Sequence, residues 1–189
     1  MILNTAAVCF CEKTYSKVRI EDIAERAGVS RALIYTYFPN KQTLLHEAKT
    51  RALEMWGALS AIEHDLDAAP GNAHDKLVNV IRSSFYYIRQ YPITLIVMSP
   101  DMQTSDPQWR QLALTAMQGW RQTLTTLLRA GLRSGDFVAS LDVEATADMV
   151  RTLQAGIIER KLRGDPYTVD EERLIGASLD IIINGIRPR

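Results

Sequence analysis

Cysteine is scarce in this 189-residue chain, which holds only Cys9 and Cys11. Two residues apart on a helix, their side chains diverge, which argues against a mutual disulfide or a shared metal. Cys9 shares a face with Leu3, Ala6 and Phe10 and reads as a small packing residue rather than a redox sensor. The three histidines, His46, His64 and His74, are far apart. None forms HExxH or another metal spacing, so neither a metal site nor a cofactor is expected. There is no G-x-S-x-G elbow and no glycine-rich phosphate loop, and the carboxylates are spread as solvated helix faces. The chain therefore does not read as an enzyme. Ten glycines and seven prolines are too few for a disordered or fibrous chain. No apolar run approaches the roughly 20 residues of a membrane span. The N-terminus lacks a charged n-region and a convincing cleavage site, so a cytoplasmic protein without a signal peptide is expected. Net charge is also absent.

A 47% hydrophobic content supplies a substantial core. Charge is unevenly placed. Residues 1–51 carry eight basic and five acidic side chains, a net +3, leaving −3 on the rest. A basic end on an acidic body suits a protein that docks one way round on nucleic acid.

Val18–Lys41 carries the strongest pattern. Ile20, Ile23, Ala24 and Ala27 recur at helical spacing, predicting a helix over Ile20–Ala27. Gly28 follows where a left-handed backbone is needed. Ser30 suits the N-cap of a second helix striped by Leu33, Ile34 and Phe38, which Pro39 stops. Asn40 can cap a third, with Lys41 in its first turn. Two short helices joined by a tight glycine turn form a helix-turn-helix. With the stripe inward, Ser30, Arg31, Ala32, Tyr35, Thr36 and Tyr37 face outward. Hydroxyls bond phosphate oxygens, arginine reads guanine or pairs with phosphate, and a threonine methyl packs on thymine. Small Ala32 lets the backbone approach a groove. The competing reading is a short core helix with its tyrosines partly buried.

These residues, together with Ile2-Leu3, Phe10, Tyr15, Asp22 and Leu44-Leu45, closely resemble the N-terminal domain of the tetracycline-repressor (TetR) family. The resemblance implies an all-α homodimeric transcription regulator. It further implies a repressor that binds a palindromic double-stranded DNA operator and is released by a small molecule. It places Arg31, Tyr35, Thr36 and Tyr37 at recognition-helix contact positions, and Ser30 and Lys41 where phosphate is commonly met. Val18 stands where a phosphate-contacting threonine is frequent, with Arg19 or Lys17 as substitutes. Thr14 replaces a frequent glycine at the end of the first helix. The sequence opens on Met1-Ile2-Leu3, without the basic arm many relatives carry ahead of it.

The rest reads as further helices, nine in all, without a convincing strand or repeat. Lys41–Ile62 has one apolar face, and His74–Tyr91 and Pro92–Met98 follow it. Asp106 and Pro107 open a helix running to Arg133. Asp142 caps one running to Leu162, and Thr168 with Glu171 forms a capping box for Val169–Ile186. A helix-turn-helix domain over 1–46 and a helical ligand-binding and dimerisation domain over 47–189 are expected, divided inside the fourth helix.

The last helix is apolar on more than one side. Val150, Leu153 and Ile157, with Leu174, Ile175, Leu179, Ile182 and Ile186, are assigned to a two-fold interface. The alternative is a core helix buried all round. A pocket for an apolar or aromatic effector is drawn from Trp56, Phe85, Tyr86, Met98, Trp109, Met117, Trp120 and Arg121, or else these residues are simply core. A ligand-independent helical regulator that binds DNA or protein is the alternative function.

Overall fold

The computed structural model describes residues 1–13, 15–62, 70–99, 106–163 and 169–188. Among these, every regular element is helical. The helices are α1 (Ile2–Glu12), α2 (Ile20–Ala27), α3 (Arg31–Tyr37), α4 (Lys41–Ile62) and α5 (Ala73–Gln90). They continue with α6 (Leu95–Met98), α7 (Pro107–Ser134), α8 (Val143–Arg163) and α9 (Glu171–Ile186). Short 3-10 turns occupy Tyr15–Lys17 and Pro92–Thr94. The all-α expectation is met. Two compact units form, Met1–Leu59 with Tyr87–Met117 and Ser60–Tyr86 with Gln118–Arg189.

The first unit is built around α1. Ala6, Ala7, Cys9 and Phe10 are buried, and the helix meets α2 and the apolar segment Pro92–Met98. The Cys9 thiol is pushed up by burial, as expected of a packing residue. Ion pairs from Lys13 to Asp22 (3.2 Å) and from Arg26 to Glu12 fasten α1 to α2. Thr14, where a glycine is usual, lies outside the described residues. Along α4, Leu44, Ala48, Ala52 and Trp56 are buried, as its period predicts. The Trp56 indole donates to the Ala116 carbonyl (2.9 Å), and the Tyr87 hydroxyl donates to Met55 O (2.7 Å). Asp106 caps α7 through the Trp109 amide (3.0 Å) and also pairs with Lys49 (3.0 Å). The capping hydrogen bond, then Lys49, hold its carboxyl below the usual range.

In the second unit, a directed hydrogen-bond chain joins three helices. The Trp120 indole donates to Gln154 Oε1 (2.9 Å), Gln154 Nε2 donates to Ser84 Oγ (2.7 Å), and Ser84 donates to Ile81 O (2.7 Å). All three side chains are buried, so each polar group is satisfied without water. Asp136 accepts from the Ala73 amide (3.1 Å) and the Ser134 hydroxyl (2.8 Å), and its carboxyl is held low, chiefly by the Ala73 bond. The Phe137 ring sits edge-on to His74 and directly against Gly131. The first residue of the expected Thr168 capping box lies outside the described residues. The cap that forms at α9 is Asp170, which accepts from the Arg173 amide (2.8 Å).

The two-fold stripe expected from sequence needs correction. Val150, Ile157, Ile175, Leu179, Ile182 and Ile186 are all buried within the single chain. Only Leu153 is exposed and Leu174 half-exposed. The positions 175, 179, 182 and 186 repeat at the spacing of one helix face, and that face fills the protomer's own core. The outward apolar residues are instead Met149 and Leu153 on α8 and Ile181 on α9, the last 72% exposed.

At Gly131 a Cβ would stand 2.1 Å from Phe137 Cε2 and 2.9 Å from the Ala73 Cβ. Gly131→Ala is therefore expected to destabilise by about 1–3 kcal/mol despite its higher helix propensity. A fall in the urea midpoint at unchanged slope would register this, and an unchanged midpoint would refute the steric reading.

Candidate nucleic-acid interface

The helix-turn-helix forms where the residues dictate it. Ile20, Ile23, Ala24 and Ala27 are buried on one side of α2. Gly28 ends the helix at φ +66°, and its N–H reaches the carbonyls of Ala24 and Glu25. Ser30 Oγ then accepts from the Leu33 amide (3.1 Å), the N-cap bond expected for α3. Phe38 N–H closes that helix on Ile34 O (2.8 Å). Asn40 Oδ1 receives the Thr43 amide (2.8 Å) and opens α4. The end of α2 and the starts of α3 and α4 are thus set by Gly28, Ser30 and Asn40, the residues named from the sequence.

Helix α3 has seven residues and one fully buried side chain, Ile34. Leu33, expected inward, is 40% exposed. Adjacent residues stand about 100° apart on a helix, so a two-turn helix anchored by Ile34 leaves Leu33 on its flank. Phe38 is half-buried one turn on.

The outward residues are those expected. Arg31, Ala32, Tyr35, Thr36 and Tyr37 are exposed, Tyr37 to 66%. The Thr36 hydroxyl donates back to Ala32 O (3.0 Å), which spends its proton and leaves the oxygen able to accept. Ser30 keeps its own proton to donate. Arg31 Nη1 pairs with Glu21 Oε1 (2.8 Å), and its guanidinium lies over the Tyr35 ring, 5.2 Å from the centroid. Hydrogen bonding to Tyr35, then the Glu21 charge, push the Arg31 pKa up. Arg19 is exposed and pairs with Asp22 (2.8 Å).

Lys41, which the resemblance places where phosphate is commonly met, is held by two backbone carbonyls. It is half-buried, its ammonium donates to Tyr15 O (2.8 Å) and Val18 O (2.9 Å), and it lies over the Tyr15 ring. Two of its three protons thus tie α4 to the chain ahead of α2. Sequence reasoning missed this post because the two carbonyls carry no sequence signature. The Val18 side chain is itself buried and packs in the core.

The proposed effector residues divide between the units. Trp56, Met98, Trp109 and Met117 belong to the first, and Phe85, Tyr86, Trp120 and Arg121 to the second. The three tryptophans and Phe85 are buried. Tyr86 is 64% exposed and Arg121 pairs outward with Glu144 and Asp148, so neither faces an interior space. In the second unit Phe85 and Gln154 line a narrow apolar crevice together with Ile81, Ile157, Ile175 and Ser178. Among the described residues no cluster of His, Cys, Asp and Glu is suited to a metal ion. His64 lies outside them.

Two family models match the sequence. One, described as bacterial regulatory proteins of the tetR family, covers residues 2–48. The other, a tetracyclin repressor-like C-terminal domain, covers residues 94–174. The chain belongs to the TetR family. This TetR regulator is 25% identical over 186 residues to the fatty acid metabolism regulator protein of Bacillus subtilis (strain 168), across 98% of this chain and 93% of that one. The crystal structure of Bacillus subtilis FadR in complex with stearoyl-CoA shares the fold, with a TM-score of 0.68 at 24% identity over 98% of both chains. A putative regulator from Saccharomonospora viridis in complex with choline gives a TM-score of 0.71 at 26% identity, over 100% of this chain and 96% of that one. The protein is a DNA-binding transcriptional regulator, and such relatives are regulators rather than enzymes. Among the described residues no helix is long and apolar enough to cross a membrane.

Tyr37→Phe is expected to weaken binding to all duplexes alike, by about 0.5–1.5 kcal/mol, the worth of one hydrogen bond. Replacing Thr36 is expected to change base preference instead. Selection from a random duplex pool separates the two, and an unchanged logo for the Thr36 variant would remove it from base reading.

Proposed function

We propose that this regulator is a homodimeric repressor that reads a palindromic operator with two copies of α3 and is released by a small apolar molecule. One observation carries the reading. Helix α3 turns a single side chain, Ile34, into the core and leaves an arginine, two tyrosines and a threonine outward. In this reading Arg31 and Thr36 read bases, Ala32 admits the groove wall, and Ser30, Tyr35 and Tyr37 bond phosphates, with Arg19 beside them. The DNA-binding domain spans residues 1–46 and the ligand-binding and dimerisation domain 47–189. The two recognition helices must lie about 34–36 Å apart, one turn of duplex, or a multiple of that.

The dimer reading rests on the apolar residues that the protomer leaves outside. Met149, Leu153 and Ile181, flanked by exposed Ala177, give a surface that a second copy can cover. Ile181→Glu is expected to yield monomers that keep their helix content and lose operator binding. Ile182→Glu, at a buried position, is expected to unfold the protomer instead. A sedimentation profile of Ile181→Glu that matched the parent would count against this interface.

The effector reading draws on the apolar crevice of the second unit and on the relatives. FadR of Bacillus subtilis was solved with stearoyl-CoA, and the Saccharomonospora viridis regulator with choline. The crevice of the second unit is lined mainly by apolar side chains and carries no charged group, so it suits an apolar group rather than a cation. An effector shifts the population only by its differential affinity for the two states. To take the DNA-competent fraction from 99% to 1% it needs about 5.5 kcal/mol of preference. Titrating stearoyl-CoA and choline into an operator complex is expected to release DNA with the former alone. Release by neither would favour a ligand-independent regulator.

A further inference from the structure

We propose that Glu21, on the first turn of α2, is a positioning residue that holds the Arg31 guanidinium for a guanine base and withholds it from phosphates. The inference rests on the reading that α3 lies against DNA.

Arginine carries five N–H donors in a planar fork. Glu21 Oε1 engages Nη1 at 2.8 Å, and the Tyr35 ring lies against the guanidinium face. The guanidinium is thus held from two sides, by the Glu21 carboxylate and by Tyr35, with which it also hydrogen-bonds. The arginine side chain is nevertheless 59% exposed, so part of the fork stays open to a ligand. A guanine presents O6 and N7 side by side in the major groove, and two parallel donors match them. A guanidinium already oriented can make that pair while keeping its Glu21 contact. A phosphate oxygen can be met from many directions and gains nothing from a fixed plane. The Glu21 carboxylate beside the fork also repels the phosphate backbone.

The other acids of α2 are placed differently. Asp22 is more buried and shared between Lys13 and Arg19, so it serves the fastening of α1. Glu21 is 49% exposed and pairs with Arg31. Such an exposed pair adds little to folding stability, so the contact matters for presentation.

The test compares the full-length parent with Glu21→Ala and Glu21→Gln, by anisotropy on the pool-selected operator and on an unrelated duplex across a salt series. Glu21→Ala is expected to bind the unrelated duplex roughly 3–10-fold more tightly. Its salt slope there should steepen by about one, the signature of one added phosphate contact. Operator affinity should stay within about twofold or fall, so discrimination drops by up to about tenfold. Selection should show weakened guanine preference at one position of each half-site. Glu21→Gln, which keeps an acceptor but no charge, should fall between. In an Arg31→Ala background, Glu21→Ala should no longer alter base preference or discrimination. Equal discrimination and an equal logo for parent and Glu21→Ala would overturn the inference. So would a Glu21→Ala effect of the same size without Arg31. A parent that ignores every duplex would instead sink the DNA-facing reading of α3.

Discussion

Ile34 is the contact on which the DNA-facing geometry depends. A seven-residue helix is far too short to persist alone in water, and α3 buries one side chain completely. That side chain sets the rotation of the whole helix, and rotation decides which residues face solvent. The Ser30 cap fixes where the helix starts, and Gly28 fixes the angle at which the chain enters it. Lys41 then ties the start of α4 to the carbonyls of Tyr15 and Val18, closing the frame from the other side. Little of this stabilises the protein as a whole. It converts one apolar anchor into a defined orientation for four exposed side chains.

The charges around that frame are largely spent on one another. Arg19, Arg26, Arg31 and Lys13 each have a carboxylate partner within the first unit. The net surplus of +3 in residues 1–51 already subtracts those carboxylates, and Lys49 and Arg51 pair in addition with Asp106 and Glu54, so the surplus left to meet a duplex is small. Such a surface attracts nucleic acid weakly at long range and leaves discrimination to short-range fit. This accords with the neutral composition of the whole chain.

What the sequence revealed and what it hid have separate physical causes. The helix-turn-helix was legible almost to the residue because local chemistry sets its limits: an αL glycine, a serine cap and an asparagine cap. Asp106 and Asp142 were legible as caps for the same reason. Helix faces were harder. Leu33 was misplaced because a seven-residue segment is too short for its period to be resolved. In α9, Ile181, Ile182 and Ile183 follow one another, and hydrophobicity alone cannot say which of three adjacent isoleucines faces the core. Their inward stripe had the cleaner spacing, and it belongs to the protomer rather than to a partner. Tyr86 and Arg121 misled for another reason. An aromatic ring or a guanidinium in an apolar stretch suggests a pocket, but their neighbours in space decide, and those come from elsewhere in the sequence.

The buried chain from Trp120 through Gln154 and Ser84 to Ile81 runs in one direction only. Each member gives a proton forward and receives one from behind, so polarity is as fixed as shape. Converting Gln154 to glutamate exchanges a single heavy atom and preserves volume, yet an ionised carboxylate there would give the serine oxygen no donor and place a charge in the interior. Chemical ageing of that one amide would thus strike the second unit harder than many larger changes on its exterior. The site tolerates only substitutions that respect the order of giving and receiving.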